Sequence, residues 1–169
     1  MPVKPTWSKF ICLLIFMILP SFGFADIRSA TGKPLLDFYT VYGAIDSVKI
    51  INELCNIEFP EYKKQNDLAY SLWRSQYKDF IYKIEQYNHE IVKKTSKGDE
   101  ALYAKQMLDT AISYDNNKKT MHNMFSDFGE NTYRQTCFNY PTYTESEKAD
   151  FPNYYKEHLQ VFESYWRKQ

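Results

Sequence analysis

This 169-residue sequence predicts an all-α fold: an antiparallel up-down bundle of about four helices, stapled by one disulfide. Three observations predict it. Apolar residues recur every three or four positions over long stretches. Pro60, Gly98, Gly129 and Pro141 fall between those stretches. Two cysteines remain once the leading segment is set aside, and the bundle order brings them to one end. With 44% apolar residues the chain can also bury a core, and its length suits one domain.

Residues 1–25 read as a cleaved signal peptide. Lys4 and Lys9 form a positive start, and Phe10–Leu19 is an uncharged apolar run ended by Pro20. Gly23 and Ala25 supply the small residues before a cut between Ala25 and Asp26. A membrane span needs about 20 apolar residues, roughly twice this run. Cys12 lies at the start of the run with no small residue before it, which argues against a lipid attachment. Cleavage leaves 19 basic against 21 acidic residues and places the product in the periplasm or outside the cell.

Residues 26–34 are expected to form a flexible tail and 35–169 a single helical domain. Leu35, Phe38, Tyr42, Ile45, Val48, Ile51 and Cys55 predict the first helix. Gly43 weakens it, and Phe38–Tyr42 taken alone would also suit a strand. After Pro60, the stripe Tyr62, Asn66, Ala69, Trp73, Tyr77, Phe80, Ile84, Tyr87 and Ile91 predicts one long helix over 61–94, about 50 Å long. Asp99 is the candidate N-cap of a third helix over 100–128. Its expected buried stripe is Ala101, Ala104, Leu108, Ala111, Tyr114, Met121, Met124 and Phe128. Gly129 is its stop. Residues 130–150 are expected as turns with at most one short helical turn. The last helix, 151–167, would bury Phe151, Tyr155, Leu159, Phe162 and Trp166, with Asp150 as its N-cap.

Aromatic-Pro-x-Tyr occurs at Phe59–Tyr62, Tyr140–Tyr143 and Phe151–Tyr154. Proline suits a first helical turn, and the preceding aromatic can pack back on it. FPEY…WR and FPNY…WR also hint at an internal duplication, on two weak matches.

Cys55 and Cys137 form the expected disulfide. They are 82 residues apart in sequence, so the bridge is worth about 4 kcal/mol on the chain-entropy model. In an up-down bundle the first helix ends where the chain arrives after the third, which brings the two within the required reach of about 7 Å.

Chemistry is sparse. Zero net charge argues against a nucleic-acid partner. Glycine spacing fits no phosphate or dinucleotide loop, and no zinc-protease or serine-hydrolase motif is present. Glu85 and His89 could form half a metal site, but nothing clusters with them, and His122 and His158 stand alone. Lys93, Lys94 and Lys97 read as a helix C-terminus, where lysine suits the dipole. No metal, cofactor or catalytic residue is therefore assigned.

Fifteen tyrosines are the unusual feature. Most belong in the core, but Tyr133, Tyr140 and Tyr143 fall off the stripes and form the candidate binding surface, because tyrosine favours interfaces. The expected function is binding of another protein in the bacterial envelope, as an inhibitor or immunity-type protein, without stable membrane insertion. The alternatives are an envelope hydrolase with convergent carboxylates and a carbohydrate- or peptidoglycan-binding module.

Overall fold

The structure is a computed structural model that describes residues 29–169. The expected signal peptide and cut site lie outside those residues. All regular elements among them are helical: α1 (Pro34–Glu58), α2 (Lys63–Gln76), α3 (Lys78–Ser96), α4 (Glu100–Asp127), α5 (Glu130–Phe138), α6 (Tyr140–Thr144), α7 (Phe151–Tyr154) and α8 (Lys156–Trp166), with 3-10 turns at Pro60–Tyr62 and Glu147–Ala149. The helix count is therefore eight, not about four. Two expected long helices are broken, and the expected connector is itself helical. None of these helices is long and apolar enough to cross a membrane.

α1 is the central element. It packs against α8, α2, α4, α5 and α6. That explains why burial on it exceeds a single stripe: Asp37, Val41, Ile50 and Leu54 are buried beside Phe38, Val48 and Cys55. A helix flanked on several sides must be apolar on several faces. Phe38–Tyr42 is helical, and Gly43 does not interrupt α1. The end of the expected tail is held down, because the Thr31 N–H donates to Asp37 Oδ1 at 2.8 Å.

The expected helix over 61–94 bends at Tyr77, with neither proline nor glycine there. The helix is interrupted locally, with Tyr77 at φ −104° and ψ 17°, although Tyr77 N–H still reaches Trp73 O at 3.1 Å and Ile81 N–H reaches Tyr77 O at 2.9 Å. The bend has a tertiary cause. Trp73 Nε1 donates to Ala149 O at 3.0 Å and holds α2 against the segment after α6. α3 meanwhile follows α1 and α4. The last helix breaks likewise at Tyr155, into α7 and α8. Its expected buried face holds, with Phe151, Tyr155 and Phe162 buried and Leu159 and Trp166 packed against them.

Each aromatic-Pro-x-Tyr segment starts a helical turn with proline in its first positions. The aromatics before the prolines, Phe59, Tyr140 and Phe151, are all buried. Asp99 caps α4 by accepting the Leu102 N–H at 3.0 Å. Gly129 forms the corner between α4 and α5 at φ 85°, a region that favours glycine.

α4 runs alongside α1 in the same direction. Lys49 lies over the Tyr114 ring, Lys118 pairs with Glu53 at 2.6 Å, and His122 contacts Glu58 at 3.1 Å. The chain is thus back at the C-terminal end of α1 when it enters α5, and Cys137 bonds Cys55 with Cα atoms 5.2 Å apart. Around the bridge, Ile50, Leu54, Phe59, Phe125 and Tyr133 form a second core, separate from the main one between α1, α2, α3 and α8.

Candidate functional site

The structure moves the expected tyrosine surface inside. Tyr133 is 4% exposed and Tyr140 1% exposed. Tyr143 is half-buried against the main core. Tyr133 meets Phe59 edge to face at 5.2 Å and Phe125 at 5.0 Å. Tyr140 Oη donates to Val48 O at 2.9 Å. Burial pushes the Tyr133 and Tyr143 hydroxyls up to about 12, and raises Tyr140 further. These rings are packing residues. The sequence carries the sign of it: Tyr133, Cys137, Tyr140 and Thr144 recur at steps of four, three and four, a helical face, and all four are buried.

Histidines and basic residues find structural partners. His89 Nδ1 contacts Tyr103 Oη at 3.1 Å. Lys94 lies 4.5 Å over the Trp166 ring at the end of α3. His158 Nδ1 contacts Asp37 Oδ1 at 2.9 Å, and both side chains are almost fully buried. That pair ties α8 to the start of α1 and is closed to any substrate. Burial alone would push the Asp37 carboxyl up. The Thr31 hydrogen bonds and the His158 contact outweigh it and hold the group below the ordinary aspartate value. Among the described residues no group of three or more His, Cys, Asp or Glu side chains is placed to hold a metal.

A groove lies between α1, α3 and α4, with a volume of about 480 Å³. That falls in the range of ligand pockets, roughly 300–1,000 Å³. α1 contributes Tyr39, Tyr42, Gly43 and Asp46, which share a face at helical spacing. α3 contributes Ile91, Val92 and Thr95, and α4 contributes Gln106, Asp109, Thr110, Ser113, Tyr114 and Asn117. Burial first, and then the charge of Glu85, push the Asp46 carboxyl up to about 6 against the pull of Lys49. Burial, Asp46 and Glu85 push Tyr42 up to about 12. Burial together with Glu53 and Asp46 raises Tyr114 as well.

α4 is oriented against expectation. Phe125 is the one buried residue among its 28. The expected stripe faces outward in its first half: Ala101, Ala104, Leu108 and Ala111 are exposed, as is Ile112. Leu108 is 60% exposed and Ile112 47%. The polar face, with Gln106 and Thr110, turns toward the groove instead. Hydrophobic periodicity located the helix and the inward side of its second half, where Tyr114, Met121 and Met124 pack against the core around the disulfide, but pointed the apolar face of its first half the wrong way. The spacing of Gln106, Asp109, Thr110, Ser113 and Asn117 is the mark of the groove wall.

Comparisons with protein-family profiles, with curated proteins and with solved structures found no match to this chain.

Proposed function

We propose that the protein is an exported binding protein of the bacterial envelope, of the inhibitor or immunity type, which recognises another protein through α4 and the groove behind it. We read its eight helical segments as a broken version of the antiparallel bundle, with α4 as its least embedded arm. The observation that carries the proposal is the outward apolar stripe of α4, Ala101, Ala104, Leu108 and Ile112. Exposed leucines and isoleucines one helical turn apart gain free energy when a partner covers them. The disulfide between Cys55 and Cys137 supports the envelope setting, because such a bond persists in an oxidising compartment.

The test is capture from envelope extract by the purified protein and by the Leu108→Glu/Ile112→Glu variant. We expect the variant to lose capture while keeping the helical circular-dichroism signal of the wild type. Unchanged capture would move the recognition surface elsewhere.

We keep one second proposal, an envelope hydrolase, because the groove holds two carboxylates, Asp46 and Asp109, and Asp46 retains its proton to about 6. Two carboxyls lining one groove, one of them raised, is an arrangement that general acid–base chemistry uses. Release of soluble fragments from purified cell-wall material, abolished by Asp46→Asn, would favour this enzyme over a binder.

A further inference from the structure

We propose that the groove between α1, α3 and α4 takes a basic side chain, a lysine or arginine presented by the protein partner. Its cation would lie between Asp46 and Asp109 and its stem against the tyrosine rings. The inference rests on the binding function proposed above and names the chemistry of its central contact.

Four observations converge on it. First, the groove carries two carboxylates and, among the described residues, no lysine or arginine lines it. Neither Asp46 nor Asp109 forms an ion pair there, and Lys49, which bears on Asp46 electrostatically, contacts Glu53 at 3.8 Å and the Tyr114 ring instead. A carboxylate in a semi-enclosed wall without a cation in contact is stabilised by one that enters.

Second, the rings form a corner. Tyr39 and Tyr42 meet edge to face at an interplanar angle of 75°. A sugar stacks best on a flat open ring, whereas a cation is held by ring faces set at an angle around it. Lys49 over Tyr114, at 4.9 Å from the centroid, shows the same chemistry already in use in the wall.

Third, Gly43 sits mid-helix in α1 and lines the groove, and a Cβ built there meets nothing within 4 Å. Glycine in a helix interior costs about 1 kcal/mol relative to alanine. No neighbouring group requires the small residue, so its effect is to keep the groove floor low.

Fourth, Glu85 on α3 raises the Asp46 carboxyl, after burial as the largest cause and against the pull of Lys49 on α1 itself. The other titratable groups coupled to Asp46, Tyr42 on α1, Tyr70 on α2 and Tyr114 on α4, are neutral phenols raised first by burial. A cation entering the groove would relieve the cost of ionising Asp46 there.

The experiment is an NMR titration of the purified protein with capped Gly-Lys-Gly and Gly-Arg-Gly tripeptides. The controls are the isosteric norleucine tripeptide and an N-acetylglucosamine trisaccharide. We expect the basic peptides to shift the Gly43 and Ser113 amides in a saturable way, and more strongly at pH 7.5 than at pH 5, as Asp46 ionises through about 6. Asp46→Asn and Asp109→Asn should each weaken binding about tenfold, the equivalent of about 1.4 kcal/mol. Asp46→Asn should also remove the pH dependence. Gly43→Leu, for which there is room, should block the groove and leave the fold intact.

Equal shifts by the norleucine peptide would overturn the cation site in favour of an apolar groove. Shifts by the trisaccharide alone would overturn it in favour of a sugar site. Failure of the basic peptides, with capture still sensitive to Leu108→Glu/Ile112→Glu, overturns this inference alone. Charge-dependent peptide binding with capture insensitive to that variant overturns the proposed protein-binding surface alone.

Discussion

Two aspartates on one helix show how far surroundings outrank residue type. Asp37 and Asp46 lie nine positions apart on α1. Asp37 is buried but receives the Thr31 N–H and touches His158, so its carboxylate is favoured. Asp46 has burial and Glu85 against it, so its protonated form is favoured. The two groups therefore act oppositely on stability. Asp37 contributes stability that is fully present above the ordinary aspartate value of 3.8 and is lost as pH falls through its lowered folded value. Asp46 favours the fold at low pH, and that contribution is lost as pH rises from 3.8 through about 6. We predict that Asp37→Ala destabilises the protein at pH 7 by about 1–3 kcal/mol, because it leaves His158 buried without this partner. The same substitution should flatten the loss of stability below pH 4. Urea unfolding at pH 7 and pH 3 measures both. An equal loss at the two pH values would show that Asp37 acts by packing and not by charge. Neither aspartate could be singled out from the sequence, since Asp37 depends on Thr31 and His158, 6 and 121 positions away, and Asp46 on its burial and on Glu85 of another helix.

Single helices here are legible where they meet a neighbour on one side and misleading where they meet several or none. α3 has one buried face, and its expected residues Ile84 and Ile91 are on it. α4 packs inward only over its second half, through Tyr114, Met121, Met124 and Phe125, so the apolar stripe of its first half had no reason to point inward. We predict a sharp contrast along that helix. Phe125→Ala should cost about 3–5 kcal/mol, because Phe125 packs against Tyr133 in the core around the disulfide. Leu108→Ala, one side chain of the exposed stripe, should change stability by less than about 0.5 kcal/mol. Chemical denaturation of both variants is the measurement. A large loss for Leu108→Ala would show that this stripe is covered within the protein's own fold. The bends at Tyr77 and Tyr155 belong to the same scale. At both, the residue's N–H still reaches the carbonyl four positions back, while its φ and ψ leave the helical region, and neither proline nor glycine marks the place. Only the opposing demands of α6 on α2 and of α1 on α3 set the first of them.

At the scale of the whole molecule the Cys55–Cys137 bond links the central helix to the far end of the chain's return path, across 82 residues. We predict that Cys55→Ser/Cys137→Ser unfolds at lower denaturant, with a loss of about 2–5 kcal/mol. Its helical circular-dichroism signal below the midpoint should persist, because the main core lies away from the bridge. Free-thiol titration of oxidised protein lacking residues 1–25 should find no reactive cysteine. Collapse of the helical signal in the variant would mean that the core around the bridge nucleates the rest. By itself, the sequence determined the all-helical class, the starts set by Pro60, Asp99 and Pro152, the faces of α3 and α8, and the pairing of Cys55 with Cys137. Each of these follows from local periodicity, from capping chemistry or from a count of two. Only the tertiary structure decided that α1 is central and buried on several sides, that Tyr133 and Tyr140 are core, and that α4 turns its polar face inward. It alone assembled Tyr39, Tyr42, Asp46, Asp109 and Tyr114 into one groove. Burial of a given face is a property of what packs against it, and a residue's own neighbours in sequence carry no record of partners that arrive from 60 positions away.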